Sequence, residues 1–169
     1  QVLSNIDSFS NIAQVSEYYL KLDFFDGIAE IRLGKQDLNN QFFVVDRASD
    51  FIQSTFGLSP STAFPTYPHP SFGLSASIAL GDAWTIRAGV WDAFASGSSW
   101  GFSGNDSILA IGELERDYSL WLFGRRLDGT FAMGAVYESQ GIIDGNPVSA
   151  VHEYIVQIEQ MILPEHGNG

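Results

Sequence analysis

The sequence has no cysteine, no long apolar run and few basic residues. Without cysteine, disulfides and thiolate metal sites are excluded. No stretch approaches the roughly 18 consecutive apolar residues of a membrane-spanning helix, which excludes a helical membrane protein. Lys and Arg number eight against twenty Asp and Glu, and the formal net charge is −12. Eight scattered cations would not neutralise a phosphate backbone, so we expect no nucleic-acid partner.

Charged residues are also scarce for a water-soluble domain. They make up 17% of the chain, below the roughly 25% that is usual, while 45% is apolar and 14% aromatic. The 169 residues suffice for one domain with a buried core, and we treat residues 1–169 as that domain. Gln1 opens a polar, strand-like segment and not a basic stretch followed by an apolar core, so no signal peptide is expected. The chain is therefore expected to be mature, or cut from a longer one.

Apolar and polar residues alternate in two segments that are joined by Asp26-Gly27. Aspartate followed by glycine is a tight-turn signal, because glycine adopts positive φ without steric cost. Side chains of a strand alternate between its two faces. One face of this predicted hairpin is therefore apolar, and the other carries charges of both signs. The apolar set is Tyr18, Leu20, Leu22, Phe24, Ala29, Ile31 and Leu33, and the polar set includes Lys21, Asp23, Glu30 and Arg32.

The same alternation recurs along the rest of the chain. It predicts further strands over residues 74–80, 84–91, 108–123, 130–139 and 150–163, which makes seven full strands. Within residues 108–123 only Arg116 departs from the alternation. One long strand is therefore favoured over a hairpin at Arg116-Asp117.

The connections alternate between short and long. Short turns are expected at Asp26-Gly27, Gly81-Asp82 and residues 125–129, and long loops at residues 7–13, 37–72, 92–106 and 141–149. In the 37–72 loop Asp46 could cap a short helix. Its aromatic residues favour packing over disorder, namely Phe42, Phe43, Phe51, Phe56, Phe64 and Tyr67. We expect this loop to fold into the interior of the structure, although covering the outside is the alternative.

Together these features predict an all-β fold, an antiparallel transmembrane β-barrel with turns at one end and loops at the other. A water-soluble sandwich also alternates. The barrel is favoured because carboxylates and arginines recur on the face opposite the apolar one. Closed single-chain barrels of bacteria have an even number of strands, so seven strands suggest that this chain covers only part of a larger barrel.

Several ordered pieces of the sequence resemble the carbohydrate-selective porins of the OprB type. These pieces are Ser-Asn-Ile-Asp at 4–7, Asp26-Gly27, Ile-Arg-Leu-Gly-Lys-Gln-Asp at 31–37, Phe-Ile-Gln-Ser-Thr-Phe-Gly at 51–57, Tyr-Pro-His-Pro at 67–70 and Ala-Gly-Val-Trp-Asp at 88–92. The resemblance implies a barrel of about sixteen strands in the outer membrane of Gram-negative bacteria, about half of which this chain would lack. It also implies a passive channel with no enzymatic activity and no cofactor. Its expected partners are outer-membrane lipid and sugars or small solutes, with a homotrimer carried over from the porin architecture.

Seven residues on the polar face are candidates for lining the pore: Glu30, Arg32, Arg87, Trp91, Glu113, Glu115 and Trp121. Aromatic faces contact the CH-rich surfaces of sugar rings, and charged groups replace water on the hydroxyls. The family narrows its pore with such residues, and Arg32 and Arg87 match its motifs by position. The alternative for each residue is an ordinary cross-strand ion pair in the wall.

Other constellations are weaker. Glu113 and Glu115 share a face and could form the acid/base pair of a glycosidase, but like charges along a barrel wall are the favoured interpretation. The three histidines, His69, His152 and His166, have no ligand spacing, so we expect no metal. Three functions stay open: a sugar channel, a general or cation-preferring porin of the same fold, and a non-conducting β-protein that binds carbohydrate.

Overall fold

The computed structural model describes residues 15–45, 70–93, 101, 107–122, 124–143 and 146–162. The expectations for residues 1–14, for the helix capped by Asp46 and for most of the long loops lie outside these residues. Seven strands form one antiparallel sheet: β1 (Tyr18–Phe24), β2 (Ala29–Gln36), β3 (Ser71–Leu80), β4 (Trp84–Asp92), β5 (Ile108–Leu122), β6 (Arg125–Glu138) and β9 (Val151–Gln160). Two short strands, β7 (Gly141–Ile143) and β8 (Asn146–Val148), pair with each other.

The strands of the large sheet follow the order of the sequence, β1-β2-β3-β4-β5-β6-β9. Each strand pairs antiparallel with the next, so turns and long connections lie at opposite ends of the sheet. The predicted all-β fold with seven antiparallel strands is confirmed. The single long strand is confirmed as well, because β5 runs through Arg116 for 15 residues without a break.

The β1–β2 turn forms where the sequence predicts it. Phe25, Asp26 and Gly27 adopt positive φ values of 53°, 56° and 88°. The Gly27 N–H donates to the Phe24 carbonyl over 3.2 Å, and the Ile28 N–H donates to the Phe25 carbonyl over 3.2 Å. Glycine accommodates the largest of these φ values, since it has no Cβ.

The turn expected at residues 125–129 is wrong. These residues belong to β6, and Leu127 pairs with Leu120 while Gly129 pairs with Tyr118. The chain reverses earlier, at Gly124, which has a φ of 75°. Gly129 is a strand glycine because the Tyr118 ring covers it: a Cβ there would lie 2.7 Å from Tyr118 Cζ and 2.7 Å from the Glu159 carbonyl oxygen.

Two long connections contain more regular structure than expected. The connection assigned to residues 37–72 ends earlier, because β3 begins at Ser71, and its first residues form a 3-10 helix, Leu38–Asn40. The Asp37 side chain caps this helix by accepting the Asn39 N–H over 3.0 Å. The loop expected at residues 141–149 contains the β7–β8 hairpin.

The two faces of the large sheet differ in chemistry. The outer face, which includes Leu20, Ile78, Ile86 and Val156, is apolar and largely exposed; Val156, for example, is 66% exposed. No helix among the described ranges is long and apolar enough to cross a membrane.

The buried apolar cluster lies on the opposite, inner face of the sheet. It consists of Leu38, Phe42, Phe43, Trp91, Leu109, Ile111, Ala132 and Val136. Three of these residues come from the chain just after β2, which therefore packs on the inner face. The larger apolar surface of the sheet is thus bare while a smaller core is covered, as expected of a sheet whose outer face contacts lipid.

Candidate functional site

Residues 37–45, here called the inward segment, turn back from the end of β2 across the inner face. The Gln41 and Phe42 N–H groups both donate to the Leu38 carbonyl over 3.0 Å, which keeps the first turn compact. Leu38, Phe42 and Phe43 are each at most 2% exposed. The inward segment is therefore packed as firmly as a core element, and the remainder of the connection, residues 46–69, lies outside the described residues.

Trp91 forms an apolar surface on which the inward segment packs. Its indole lies against β3 and β4 at two glycines: a Cβ on Gly73 would lie 2.3 Å from Trp91 Cδ1, and one on Gly89 would lie 2.4 Å from Trp91 Cζ3. Phe42 packs edge-on against the indole, with ring centroids 5.5 Å apart and an interplanar angle of 88°. Aromatic pairs favour this arrangement. The two glycines let the flat ring approach the sheet closely enough for Phe42 to cover it.

Two polar side chains bind the backbone of the inward segment, the carboxylate of Glu113 and the amide of Gln157. The Phe43 N–H donates to Glu113 Oε2 on β5, and Gln157 Nε2 on β9 donates to the Val44 carbonyl over 3.1 Å. Phe43 has a φ of 50°, in the left-handed region that non-glycine residues rarely adopt. Such a conformation persists where the surrounding structure holds it in place.

A network of amides fixes the start of the inward segment. Gln36 Nε2 donates to the Gly73 carbonyl over 3.0 Å, and Gln41 Nε2 donates to Gln36 Oε1 over 2.9 Å. The Ser75 hydroxyl lies 2.7 Å from Gln41 Oε1. Buried polar groups that are satisfied in this way make the local arrangement rigid.

A cleft of about 340 Å³ lies between the inward segment and the inner face of β2–β5. Its lining includes both charged and neutral polar groups, and one aromatic ring. The lining residues are Glu30, Arg32, Asn40, Gln41, Phe42, Val44, Ser75, Ala76, Ser77, Arg87 and Glu115. This volume is at the small end of the roughly 300–1,000 Å³ of small-molecule sites.

Arg87 dominates the β4–β5 side of the cleft. It binds Glu115 with both terminal nitrogens, over 2.9 Å and 3.1 Å, and Nη1 also binds Glu113 Oε1. The Glu113 side chain has no exposed surface, whereas that of Glu115 is 20% exposed. The two carboxylates therefore differ: Glu113 is closed off beneath the inward segment, and Glu115 faces the cleft.

A second ion-pair cluster lies on the β1–β2 side. Lys21 Nζ is 2.6 Å from Glu30 Oε2, and Arg32 Nε binds Glu30 Oε1. The Arg32 guanidinium also lies over the Tyr19 ring, 5.4 Å from its centroid, in a cation–π contact. Arg32 therefore has a fixed position at the edge of the cleft, although a single nitrogen binds Glu30.

The structure brings together five of the seven predicted residues. Glu30, Arg32, Arg87 and Glu115 line the cleft, and Glu113 supports Arg87 from beneath. The other two lie elsewhere. Trp91 is 1% exposed and belongs to the core under Phe42, and Trp121 is 75% exposed on the inner face near the β5–β6 turn, opposite Arg126. Trp121 lies six positions after Glu115 on β5, about 20 Å along the strand.

Sequence reasoning missed the lining that comes from the inward segment. Asn40, Gln41, Phe42 and Val44 belong to a connection, where the period of two that identifies strand faces does not apply. Ser75 and Ser77 were recoverable, because they share the inner face with Glu30 and Arg32 through the β2–β3 register. Within the described part of the chain, no group of three or more histidine, cysteine or carboxylate residues is placed to bind a metal.

The fold of the described sheet is similar to that of a solved porin structure. A solved structure of OprB from Pseudomonas putida, determined at high pH, matches with a TM-score of 0.63 at 19% sequence identity. The match covers 91% of this chain and 42% of that chain, so this chain spans less than half the length of its structural neighbour. At this identity the likeness concerns the fold. No curated protein matches the sequence.

Sequence similarity identifies the family. The model of the carbohydrate-selective porin family OprB matches residues 1–161, which is nearly the whole chain. The chain therefore belongs to the carbohydrate-selective porin family OprB.

Proposed function

We propose that this chain forms part of an outer-membrane channel through which carbohydrates and other small solutes diffuse passively. Membership of an outer-membrane porin family supports this placement, and so does the exposed apolar outer face, which suits contact with lipid. The channel catalyses no reaction. A homotrimer is proposed from the porin architecture alone.

The observation that carries the proposal is the charge balance of the cleft. Its lining has two arginines and two glutamates, and each arginine is paired with a carboxylate. The cleft therefore offers charged donors and acceptors at fixed positions without a net charge that would concentrate ions of one sign. A neutral, hydroxyl-rich solute can use both kinds of group.

The neutral part of the lining supports the same solute class. Asn40, Gln41, Ser75 and Ser77 offer amide and hydroxyl groups, and Phe42 offers an apolar surface for the CH groups of a sugar ring. Weak and multiple contacts of this kind suit a passive channel, in which the solute must leave as readily as it enters.

The proposal is tested by single-channel conductance of the native, full-length protein in a planar bilayer, with glucose titrated into the salt. A conductance that falls saturably with glucose supports a sugar site in the pore. An open channel that is indifferent to sugars would instead favour a general or cation-preferring porin, which the chain's net charge of −12 allows. The absence of any channel would contradict the porin proposal and favour the alternative of a non-conducting β-protein that binds carbohydrate.

Replacing Arg32 with glutamine is expected to weaken the sugar block without unfolding the barrel. The substitution removes a charged donor at the cleft, while Glu30 keeps its 2.6 Å contact with Lys21. Loss of one charge-assisted hydrogen bond corresponds to a rise of about tenfold in the half-blocking glucose concentration. The measurement is the glucose titration of the variant, and an unchanged half-blocking concentration would exclude Arg32 from the solute path.

Replacing Trp121 with alanine is expected to leave the half-blocking glucose concentration unchanged. Trp121 lies on the same inner face but well away from the cleft, and it is 75% exposed. The same titration measures this. A weaker block in the variant would place the sugar site near the β5–β6 turn instead of at Arg32 and Arg87.

A further inference from the structure

We propose that Glu113 is a positioning residue that holds the inward segment inside the channel by accepting the Phe43 N–H. This inference rests on the proposed function in one respect, which is that the inward segment must border the path of the solute. The contact itself is a property of the fold. Glu113 would thus set the width of the cleft without touching the solute.

The burial of Glu113 separates it from the lining residues. Its side chain is fully covered, and its two oxygens have different partners: Oε1 binds Arg87 Nη1, and Oε2 accepts the Phe43 N–H. A carboxylate with both oxygens occupied and no exposed surface has no position left for a solute hydroxyl. Its role is therefore mechanical, whereas Glu115, bound to the same arginine, faces the cleft.

The backbone of the inward segment indicates that this contact keeps it in place. Phe43 has the left-handed φ of 50°, which an L-residue abandons unless neighbouring groups hold it. The Phe43 N–H is directed to β5, and the next carbonyl, that of Val44, accepts from Gln157 on β9. Two strands thus hold two consecutive residues, and the charged contact is the stronger of the two.

The position of the inward segment determines the shape of the cleft. Asn40, Gln41, Phe42 and Val44 form one wall, while Arg87 and Glu115 belong to the opposite one. Arg87 also joins the two carboxylates, so the wall that faces the solute and the anchor of the segment share one guanidinium. A segment released from Glu113 would move away from the sheet and widen the cleft.

The test uses a nitroxide spin label on a cysteine at Asn40, in the full-length protein with any cysteine outside residues 1–169 replaced by serine, reconstituted in lipid vesicles. Asn40 is exposed at the end of the 3-10 helix and makes none of the anchoring contacts. In the E113A background the mobile fraction of the label is expected to rise about tenfold, as follows from losing one hydrogen bond to a charged group. E113Q keeps one acceptor oxygen, for which the Phe43 N–H and Arg87 Nη1 compete, and is expected to give a smaller rise.

The matched control is E115Q, which removes a carboxylate from the same arginine but does not touch the inward segment. It is expected to leave label mobility at the level of the parent protein. Unchanged mobility in both Glu113 variants would overturn the proposal, as would an equal rise in E115Q, since the effect would then belong to Arg87 pairing in general.

Single-channel recordings of the same Glu113 substitutions in the protein that keeps Asn40 separate the two proposals. If mobility and open-channel current noise rise in E113A while glucose fails to block even the parent channel, the positioning role stands and the sugar proposal fails. If E113A is not inserted in the membrane, the label in E113Q decides, because that variant keeps the shape of the side chain.

Discussion

Replacing Arg87 with methionine is expected to lower the free energy of unfolding by about 3–5 kcal/mol, the range for removing one partner of a buried ion pair. The loss is large because Glu113 has no exposed surface and, among the described residues, would keep the Phe43 N–H as the partner for its charge. Desolvation would then act on a carboxylate that neither water nor a cation compensates. The measurement is reversible denaturant unfolding of the full-length protein in lipid vesicles.

Two further variants show whether the buried charge is the cause. In R87M/E113Q no charge remains at the closed position, so most of the lost stability is expected to return. In R126M the partner is Asp128 at 3.6 Å, and both side chains are more than 60% exposed. Such surface pairs contribute about 0–1 kcal/mol, so this variant is expected to unfold almost like the parent protein. Equal losses in R87M and R126M would contradict the burial argument.

The strands of this chain follow from its sequence because alternation is a strong constraint on a sheet. A register shift of one residue would move every apolar side chain of β3 or β4 to the inner face, so the pattern fixes both strand and face. The register bears this out: Arg87 lies between Ser77 and Glu113 on the polar face, and Ile86 lies between Ile78 and Leu114 on the apolar face. The apolar residues of this alternation together form the exposed outer face of the sheet.

The different fates of Glu113 and Glu115 could not be predicted from the sequence. They are the same residue type, two positions apart on one face of one strand. They differ because a segment about 70 residues earlier in the chain covers the first and not the second. A local period carries no information about such a contact, since it depends on where a connection folds after the sheet has formed.

For Trp91 the sequence did contain the relevant information, but the same pattern fits either sugar contact or packing against the sheet. The alternation assigns it to the polar face, where an aromatic residue suggests contact with sugar. Gly73 and Gly89 lie on the same face of β3 and β4, and their lack of side chains leaves room for an indole to lie flat. A large aromatic residue beside two strand glycines indicates packing against the sheet, and Phe42 completes that packing.

Replacing Gly134 with alanine is expected to destabilise the barrel by about 1–3 kcal/mol, the range for overpacking a filled site. A Cβ at this position would lie 2.0 Å from the Gly112 carbonyl oxygen on β5 and 2.7 Å from Phe43 Cζ on the inward segment. The first contact is with backbone, so the β5–β6 ladder must shift. The second displaces the residue whose N–H binds Glu113. Both denaturant unfolding and the mobility of a label at Asn40 should therefore change.

Gly112→Ala is the matched control, because Gly112 and Gly134 lie in neighbouring strands and neither has positive φ. A Cβ on Gly112 meets nothing within 4 Å. In that variant the smaller conformational freedom of the unfolded chain should leave stability unchanged or raise it by roughly 0.4–1 kcal/mol. If G112A and G134A lose the same stability, the cost reflects glycine in a strand rather than the close approach of Phe43 and the Gly112 carbonyl. A loss of stability in G134A alone, with greater label mobility, would show that Gly134 belongs to the surface on which the inward segment packs.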